Sequence, residues 1–264
     1  MRGFGEVSER LRRATVQVRL AGGRGGGSGV VWNANGLVLT NAHVARGDAL
    51  EVELWDGRRM PGEVTSRDPR RDLAALRIPA GGLEPCTPGD SSAVRAGELA
   101  IAVGNPLGFA GAVSVGVIHS TGALPGMGRQ KWIRADVRLA PGNSGGPLAN
   151  ARGEVIGINT AIVNGLGVAA PSQSAIEFLR AGPRPALGVA LRPARLGLRI
   201  EEVAAGSAAE AASLRPGDVL LGSLDDLWDA LDAGNEVVRL RFLRGDERRV
   251  RETCVRLRER AEAA

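Results

Sequence analysis

The stretch APGNSGGPL, Ala140 to Leu148, sets a single serine among three glycines and two prolines. Gly, Ser and Asn are ordinary turn residues, so the stretch by itself reads as a tight loop. Whether Ser144 does chemistry depends on what else the chain can bring to it. A serine hydroxyl is a weak nucleophile unless a base removes its proton, and histidine is the usual base. The chain has two histidines. His119, in VSVGVIHST, alternates with apolar residues along a strand and reads as structural. His43, in LTNAHVA, falls where a short strand gives way to a helical turn, a junction that can hold an imidazole rigidly with one face open.

A catalytic imidazole needs a carboxylate to fix its tautomer and stabilise its charged form. Between His43 and Ser144 the candidates are Asp48, Asp56, Asp68, Asp72, Asp90 and Asp136. Asp72 heads the apolar run DLAALRI and is drawn toward the interior with it. Asp56 and Asp68 lie in charged, turn-like stretches that suit solvated acids, Asp48 shares a loop with His43, and Asp90 reads as a turn residue. The resulting order, His then Asp then Ser, is that of chymotrypsin-type barrels and not of subtilisins or α/β-hydrolases, and the G-x-S-x-G elbow is missing because Gly142-Asn143 precedes Ser144. The glycines fit the same chemistry. Attack on a carbonyl creates an oxyanion that must meet backbone N–H groups, and those of Gly142 and Ser144 can converge if Gly142 takes up a strained turn.

The surrounding sequence supplies strands without intervening helices. After a short helix over about 6–13 come TVQVRL, GSGVVW, LVLT, ALEVELW, GEVTSR and LAALRI, with hairpin-type turns at NANG (33–36) and DGRR (56–59). A second batch follows from ELAIAVG to GLGVAA, and PSQSAIEFLR closes it as a helix over 172–180 that Ser172 or Ser174 would cap. Two batches of about six short strands predict two small barrels or a sandwich. Barrels over about 14–80 and 81–170 give a first domain at 1–182. A Pro/Gly-rich linker, AGPRPA at 181–186, then leads to a small α+β domain at 187–264. In that domain Ser223 would cap a helix whose apolar face is Leu224, Leu227, Trp228 and Leu231.

Bulk properties narrow the function. The chain is 44% hydrophobic and 24% charged, as expected of a globular protein, and no apolar window is long enough for a membrane span. A net charge of +5 carries no nucleic-acid signal, because arginines are dispersed among 29 acids and read as a solvated face. Cys86 and Cys254 lie far apart and form neither a disulfide framework nor a zinc motif, and no metal or cofactor is expected. The N-terminus has no apolar run between its charges, which points to the cytoplasm as written, and to the periplasm or exterior if the start is misassigned or trimmed.

TNAHV, RDLAALRI and APGNSGGPL, with GEVIGINTAI and GLGVAAPS, together resemble the HtrA/Deg family of trypsin-like serine proteases over about residues 5–182. The C-terminal module, with LRPGDVLLG, resembles a PDZ domain. The resemblance implies a chymotrypsin-like double β-barrel followed by a small PDZ-like domain. It implies His43 as base, Asp72 as its orienting carboxylate, Ser144 as nucleophile, and Gly142, Asn143 and Ser144 as the oxyanion hole. Thr160, Ala161 and Ile162 then match the strand that pairs with substrate. Leu139 and Ile162 match pocket positions that favour small or medium aliphatic side chains, while Arg138 stands where a trypsin-like pocket needs an acid. The chain departs from the family in reading ADVRLAPGNSGG, with Ala140 replacing an asparagine and Arg138 a small residue, and the altered loop leaves a latent, peptide-binding or chaperone-like scaffold as the alternative. The expected substrates are unfolded polypeptides, the expected assembly is a homotrimer using Phe4, and Leu196, Gly197 and Leu198 would hold C-terminal peptides in the PDZ-like domain.

Overall fold

In the computed structural model, residues 3–257 are described, apart from 21–24, 48–49, 126, 129, 182–186 and 233–234. The chain divides into two compact units, Met1–Gly182 and Pro183–Ala264. Most of the linker and Asp48 lie outside the described residues.

The first unit opens with α1 (Phe4–Arg13), which buries Val7 and Leu11. Strands β1 (Thr15–Leu20), β2 (Gly26–Val31), β3 (Leu37–Thr40), β4 (Leu50–Glu53), β5 (Arg59–Asp68) and β6 (Leu73–Arg77) close into a barrel in the order β1-β2-β3-β6-β5-β4. Its interior is aliphatic: Val16, Val18, Val38, Leu50, Val52, Ala74 and Leu76. The hairpin after β2 turns where Asn33 Oδ1 accepts the N–H groups of Asn35 and Leu37.

A second set follows: β7 (Thr87–Pro88), β8 (Leu99–Gly104), β9 (Ala112–Gly122), β10 (Trp132–Asp136), β11 (Pro147–Ala149), β12 (Glu154–Val163) and β13 (Leu166–Pro171). Their order is β11-β8-β9-β10-β13-β12-β7, and pairing of β11 with β12 closes six of them into a second barrel. Strand β8 explains why its sequence, LAIAVG, is apolar throughout instead of alternating. Ala100 and Ala102 face one core with Ile118, Ile133 and Leu148, while Ile101 and Val103 face another shared with α1 and the first barrel. A strand buried on both faces has no polar register to keep. Burying each such aliphatic side chain stabilises the fold by about 1.5–3 kcal/mol.

Helix α2 (Ser172–Ala181) closes the unit. Its cap differs from expectation. The buried Ser172 hydroxyl donates to the Gly89 carbonyl, and it is Ser91, far away in sequence, whose Oγ accepts the Gln173 N–H at 3.0 Å. Burial had to satisfy the Ser172 hydroxyl, and the loop carrying Gly89 offered the nearer partner.

The second unit is a sheet in the order β14 (Val189–Ala194), β15 (Gly197–Val203), β16 (Val219–Leu221), β17 (Val237–Arg244) and β18 (Asp246–Arg256), with α3 (Ala208–Ala211) and α4 (Leu224–Asp232). Ser223 and Asp226 cap α4 reciprocally, as the S-x-x-D spacing predicts. Leu227 and Leu231 are buried and Trp228 packs against them, but Leu224 is exposed, one turn too early to face the core. Leu198 is buried in the core, Leu196 is exposed in the β14–β15 turn, and β15 is hydrogen-bonded to β14 on one side and β16 on the other. The expected peptide site at Leu196, Gly197 and Leu198 is therefore corrected: a strand with two partners has no open edge to which a peptide could add.

Candidate active site

The site assembles at the ends of strands from both barrels. Strand β3 delivers Asn41 and then His43 in the turn that follows, while β6 begins directly after Asp72. Asp72 takes a left-handed backbone, φ 51°, which Asp and Asn tolerate better than most residues. That conformation lets its carboxylate grip His43 twice. Oδ1 accepts the His43 backbone N–H at 3.0 Å, and Oδ2 lies 2.6 Å from Nδ1. The imidazole is therefore held at its Nδ1 edge, which leaves Nε2 for other work. The Asn41 side chain, fully buried, donates to the Asp72 carbonyl at 2.8 Å and to Thr160 Oγ1 at 3.0 Å, tying the first barrel to β12. Arg67 pins the chain beyond His43 by donating to the carbonyls of Ala45 and Gly47.

The other described aspartates sit elsewhere. Asp68, expected to be solvated, is fully buried at the end of β5 and paired with Arg71 at 2.8 Å. Its burial is supported by that guanidinium and by the Arg70 N–H, so the charged sequence around it marks an ion pair instead of a wet turn. Asp56 closes the turn that leads into β5, accepting from Arg58. Asp90 accepts from the Ser92 hydroxyl and N–H, which hold its carboxyl below the usual range. His119 is exposed on β9, with its ring Nδ1 3.0 Å from the Ser120 hydroxyl.

Ala140–Pro141–Gly142–Asn143 forms a turn in which the Asn143 N–H donates to the Ala140 carbonyl at 3.0 Å and Gly142 has φ +107°. Proline at the second position and positive φ at the third define a type II turn. The next donors are also occupied: Gly145 N–H to Asn159 and Gly146 N–H to Asn143. Of the five N–H groups from 142 to 146, those of Gly142 and Ser144 have no acceptor among the described residues. Unused backbone donors next to a buried loop are uncommon and serve as ready anion sites. The half-buried Ser144 donates its hydroxyl to the Thr160 carbonyl at 3.2 Å and not to His43.

Leu139, Ala140, Pro141, Asn143, Ser144, Thr160, Ala161 and Ile162 surround a cavity of about 160 Å³, with no charged side chain in its wall. A second cavity, about 420 Å³, lies on the His43–Asp72 side and includes Arg46, Arg67 and Pro69. Among the described residues, no cluster of three or more His, Cys, Asp or Glu could hold a metal ion, and no helix is long and apolar enough to cross a membrane. Asn41, Ser28 and Asn105, all buried in the hydrogen-bond network of the site, were not singled out by sequence. The signal available was a polar residue embedded in an otherwise apolar strand end, as in LTNAHV and GSGVV.

Residues 27–158 match the sequence profile of the trypsin-like peptidase domain. The chain is 38% identical over 270 residues to a Synechocystis sp. protein named as serine protease HhoA, covering 85% of this chain and 68% of that one. It is 37% identical over 242 residues to a DegP-like periplasmic serine endoprotease of Chlamydia trachomatis, covering 81% of this chain and 48% of the relative. The chain thus spans between about half and two thirds of the length of these relatives. Among solved structures, the HtrA-type protease AlgW with a decapeptide superposes with a TM-score of 0.65 at 26% identity, over 98% of this chain and 99% of that one.

Proposed function

The chain belongs to the trypsin-like serine proteases of HtrA/DegP type, and on that premise we propose that it is an endopeptidase working through His43, Asp72 and Ser144. The observation that carries this reading is the pair of unused donors, Gly142 N–H and Ser144 N–H, around a serine whose partner Thr160 is tied through Asn41 to the Asp72 that holds His43. For the chemistry, Ser144 Oγ must turn from the Thr160 carbonyl toward His43 Nε2, which takes its proton as the oxygen attacks the scissile carbonyl. The oxyanion is met by the two N–H groups, while Asp72 stabilises the imidazolium. His43 then protonates the leaving amine, next takes a proton from the water that attacks the acyl-Ser144 ester, and returns it to Ser144 Oγ as the acid product leaves. Each bond broken is matched by one formed, and no metal or cofactor enters a step.

Leu139 and Ile162 support selection of small or medium aliphatic side chains. The cavity of about 160 Å³ has room for Val, Ala or Ile, since a cavity of about 150 Å³ accommodates a benzene-sized group. A wall without an acid gives Lys or Arg nothing to pair with. Thr160 to Ile162, on β12, would pair with the substrate backbone. Unfolded polypeptides are the substrate class proposed, because an extended segment must lie along that strand. The latent-scaffold alternative is less well supported, since the two N–H donors are not consumed by protein acceptors among the described residues.

The C-terminal unit is proposed to be PDZ-like. A C-terminal peptide would add to β14, which is the end strand of its sheet, and not to β15. Half-exposed Phe4, at the start of α1, is the proposed contact of a homotrimer. The periplasmic relatives favour a compartment outside the cytoplasm over the cytoplasmic reading of the N-terminus. Cleavage of unfolded β-casein by wild type and Ser144→Ala, with product ends read by mass spectrometry, tests the proposal. Cuts after Val, Ala or Ile that vanish in the variant are expected. Persistent cleavage by Ser144→Ala, or cuts after Lys and Arg, would overturn it.

A further inference from the structure

Ser28 sits on β2 of the first barrel, fully buried, yet most of its polar contacts are with the loops of the second. Its N–H donates to the Ser144 carbonyl at 2.7 Å. Its Oγ lies 2.6 Å from the Gly142 carbonyl and accepts the Asn105 N–H at 2.8 Å, with Asn105 Nδ2 at 3.3 Å. A hydroxyl has one proton to give. Two Asn105 donors already point at this oxygen, so its proton is directed to the Gly142 carbonyl. Asn105 is itself fixed, donating to the Val16 carbonyl and accepting the Gly111 N–H. The Ser28 carbonyl accepts from the Thr40 hydroxyl at 2.6 Å, on the strand that leads to His43.

The two carbonyls held by Ser28, those of Gly142 and Ser144, bracket the Asn143–Ser144 peptide. That peptide carries one of the two free N–H groups, and the nucleophile follows it directly. We infer that Ser28 is a positioning residue of the protease: through Oγ and N–H it fixes the Ser144 donor and the nucleophile's backbone against the first barrel, so that the oxyanion site is set before substrate arrives. The inference rests on the catalytic reading proposed above. Ser28 touches no substrate. Its removal acts by leaving the Gly142 carbonyl and the Asn105 N–H unpaired in a buried place, and the loop relaxes to satisfy them.

Relaxation of this kind displaces the Ser144 donor directly, while Thr160, Ala161 and Ile162 of the side-chain cavity lie on β12, outside the loop that Ser28 holds, so transition-state stabilisation falls more than binding. A misplacement of about 1 Å can cost on the order of a hundredfold in rate, and loss of an oxyanion donor outright costs about 10²–10³. Ser28→Ala is expected to lower kcat on a valine-containing peptide substrate by about ten- to a hundredfold, with KM within about threefold of wild type.

The discriminating readout compares two inhibitors on the full chain. A peptide boronate, whose adduct with Ser144 places an oxygen at the oxyanion site, should weaken by the same factor as kcat. A peptide with the same side chains whose scissile carbonyl is reduced to a methylene, which forms no adduct and puts no oxygen at the oxyanion site, should bind as to wild type. Ser28→Cys, which keeps a weak donor, should fall between wild type and Ala, and it carries the same comparison if Ser28→Ala does not fold. Wild-type kcat in Ser28→Ala, or equal weakening of boronate and reduced peptide, would overturn the inference. Ser144→Ala is run in parallel: if it still cleaves, the catalytic reading itself fails, whatever Ser28 does.

Discussion

Replacing Asp72 with Asn separates geometry from charge at the centre of the site. The two side chains have the same shape, and Asn tolerates the left-handed backbone at φ 51° as well as Asp does. The Asn41 bond to the residue 72 carbonyl is untouched, because it uses the main chain. What changes is the pair of contacts to His43. The carboxylate accepts at both oxygens, from the backbone N–H at 3.0 Å and at Nδ1 at 2.6 Å. An amide has one oxygen and one NH₂. With the oxygen toward Nδ1–H, the NH₂ faces the His43 backbone N–H, donor against donor. With the NH₂ toward Nδ1, the ring is forced into the tautomer protonated at Nε2, which cannot accept the Ser144 proton. The second arrangement keeps both contacts to His43 and is favoured over the donor clash of the first, so the ring is held in the tautomer that cannot act as base. The same change in a chymotrypsin-type triad lowers kcat about 10⁴-fold, or about 5 kcal/mol of transition-state stabilisation. Asp72→Asn is therefore expected to lose about 10⁴ in kcat with KM nearly unchanged, measured on a fluorogenic peptide, and to unfold within a few degrees of wild type. A folded variant retaining more than a tenth of wild-type activity would refute the assignment of Asp72.

The remaining predictions concern the pocket, the second unit and the thiols. A Cβ on Gly167 would stand 2.8 Å from Val137 Cγ2 and 2.9 Å from Leu139 Cδ1. Gly167→Ala should push Leu139 into the cavity and shift β-casein cuts from Val and Ile toward Ala, and an unchanged cleavage pattern would show that Leu139 is not a wall. In the second unit, buried Asp218 accepts Arg244 Nε at 2.6 Å and Nη2 at 2.5 Å as well as the Arg215 N–H, and the bond to Asp218 raises the Arg244 pKa. Arg244→Met leaves a buried carboxylate unpaired and should destabilise that unit by about 3–5 kcal/mol in urea unfolding, against no change if the pair contributes nothing. Burial pushes the Cys86 thiol up to about 12, so its thiolate fraction at pH 8 is about 10⁻⁴ and it should resist alkylation in the folded chain while exposed Cys254 reacts. Rapid labelling of two thiols per chain would contradict that burial.

What the sequence disclosed and what it withheld divide along a physical line. Histidine is scarce here, so His43 could be singled out by residue type and by its place after LVLT. Asp72 could be ranked by the apolar run it heads, and the glycines around Ser144 by the turn they permit. Both barrels were legible because short apolar runs without intervening helices have few other ways to be buried. The polar framework was not legible. Asn41 reaches Thr160 across 119 positions, and Ser28 reaches Gly142 across 114. Such bonds depend on how the barrels meet, which no local pattern encodes. Asp68 misleads for a related reason, since its partner Arg71 makes a buried pair look like a charged turn. Around residues 195–198 the local sequence suited a binding loop, and only the pairing of β15 on both edges excludes it.

The central claim is that Ser144 is an activated nucleophile. Reaction of the full chain with a serine-directed fluorophosphonate, followed by peptide mapping, tests it without reliance on any substrate. The account predicts stoichiometric modification of Ser144, none in Ser144→Ala, and strong slowing in Asp72→Asn. A folded wild-type chain that remains unlabelled, or a label that persists in Ser144→Ala, would contradict it.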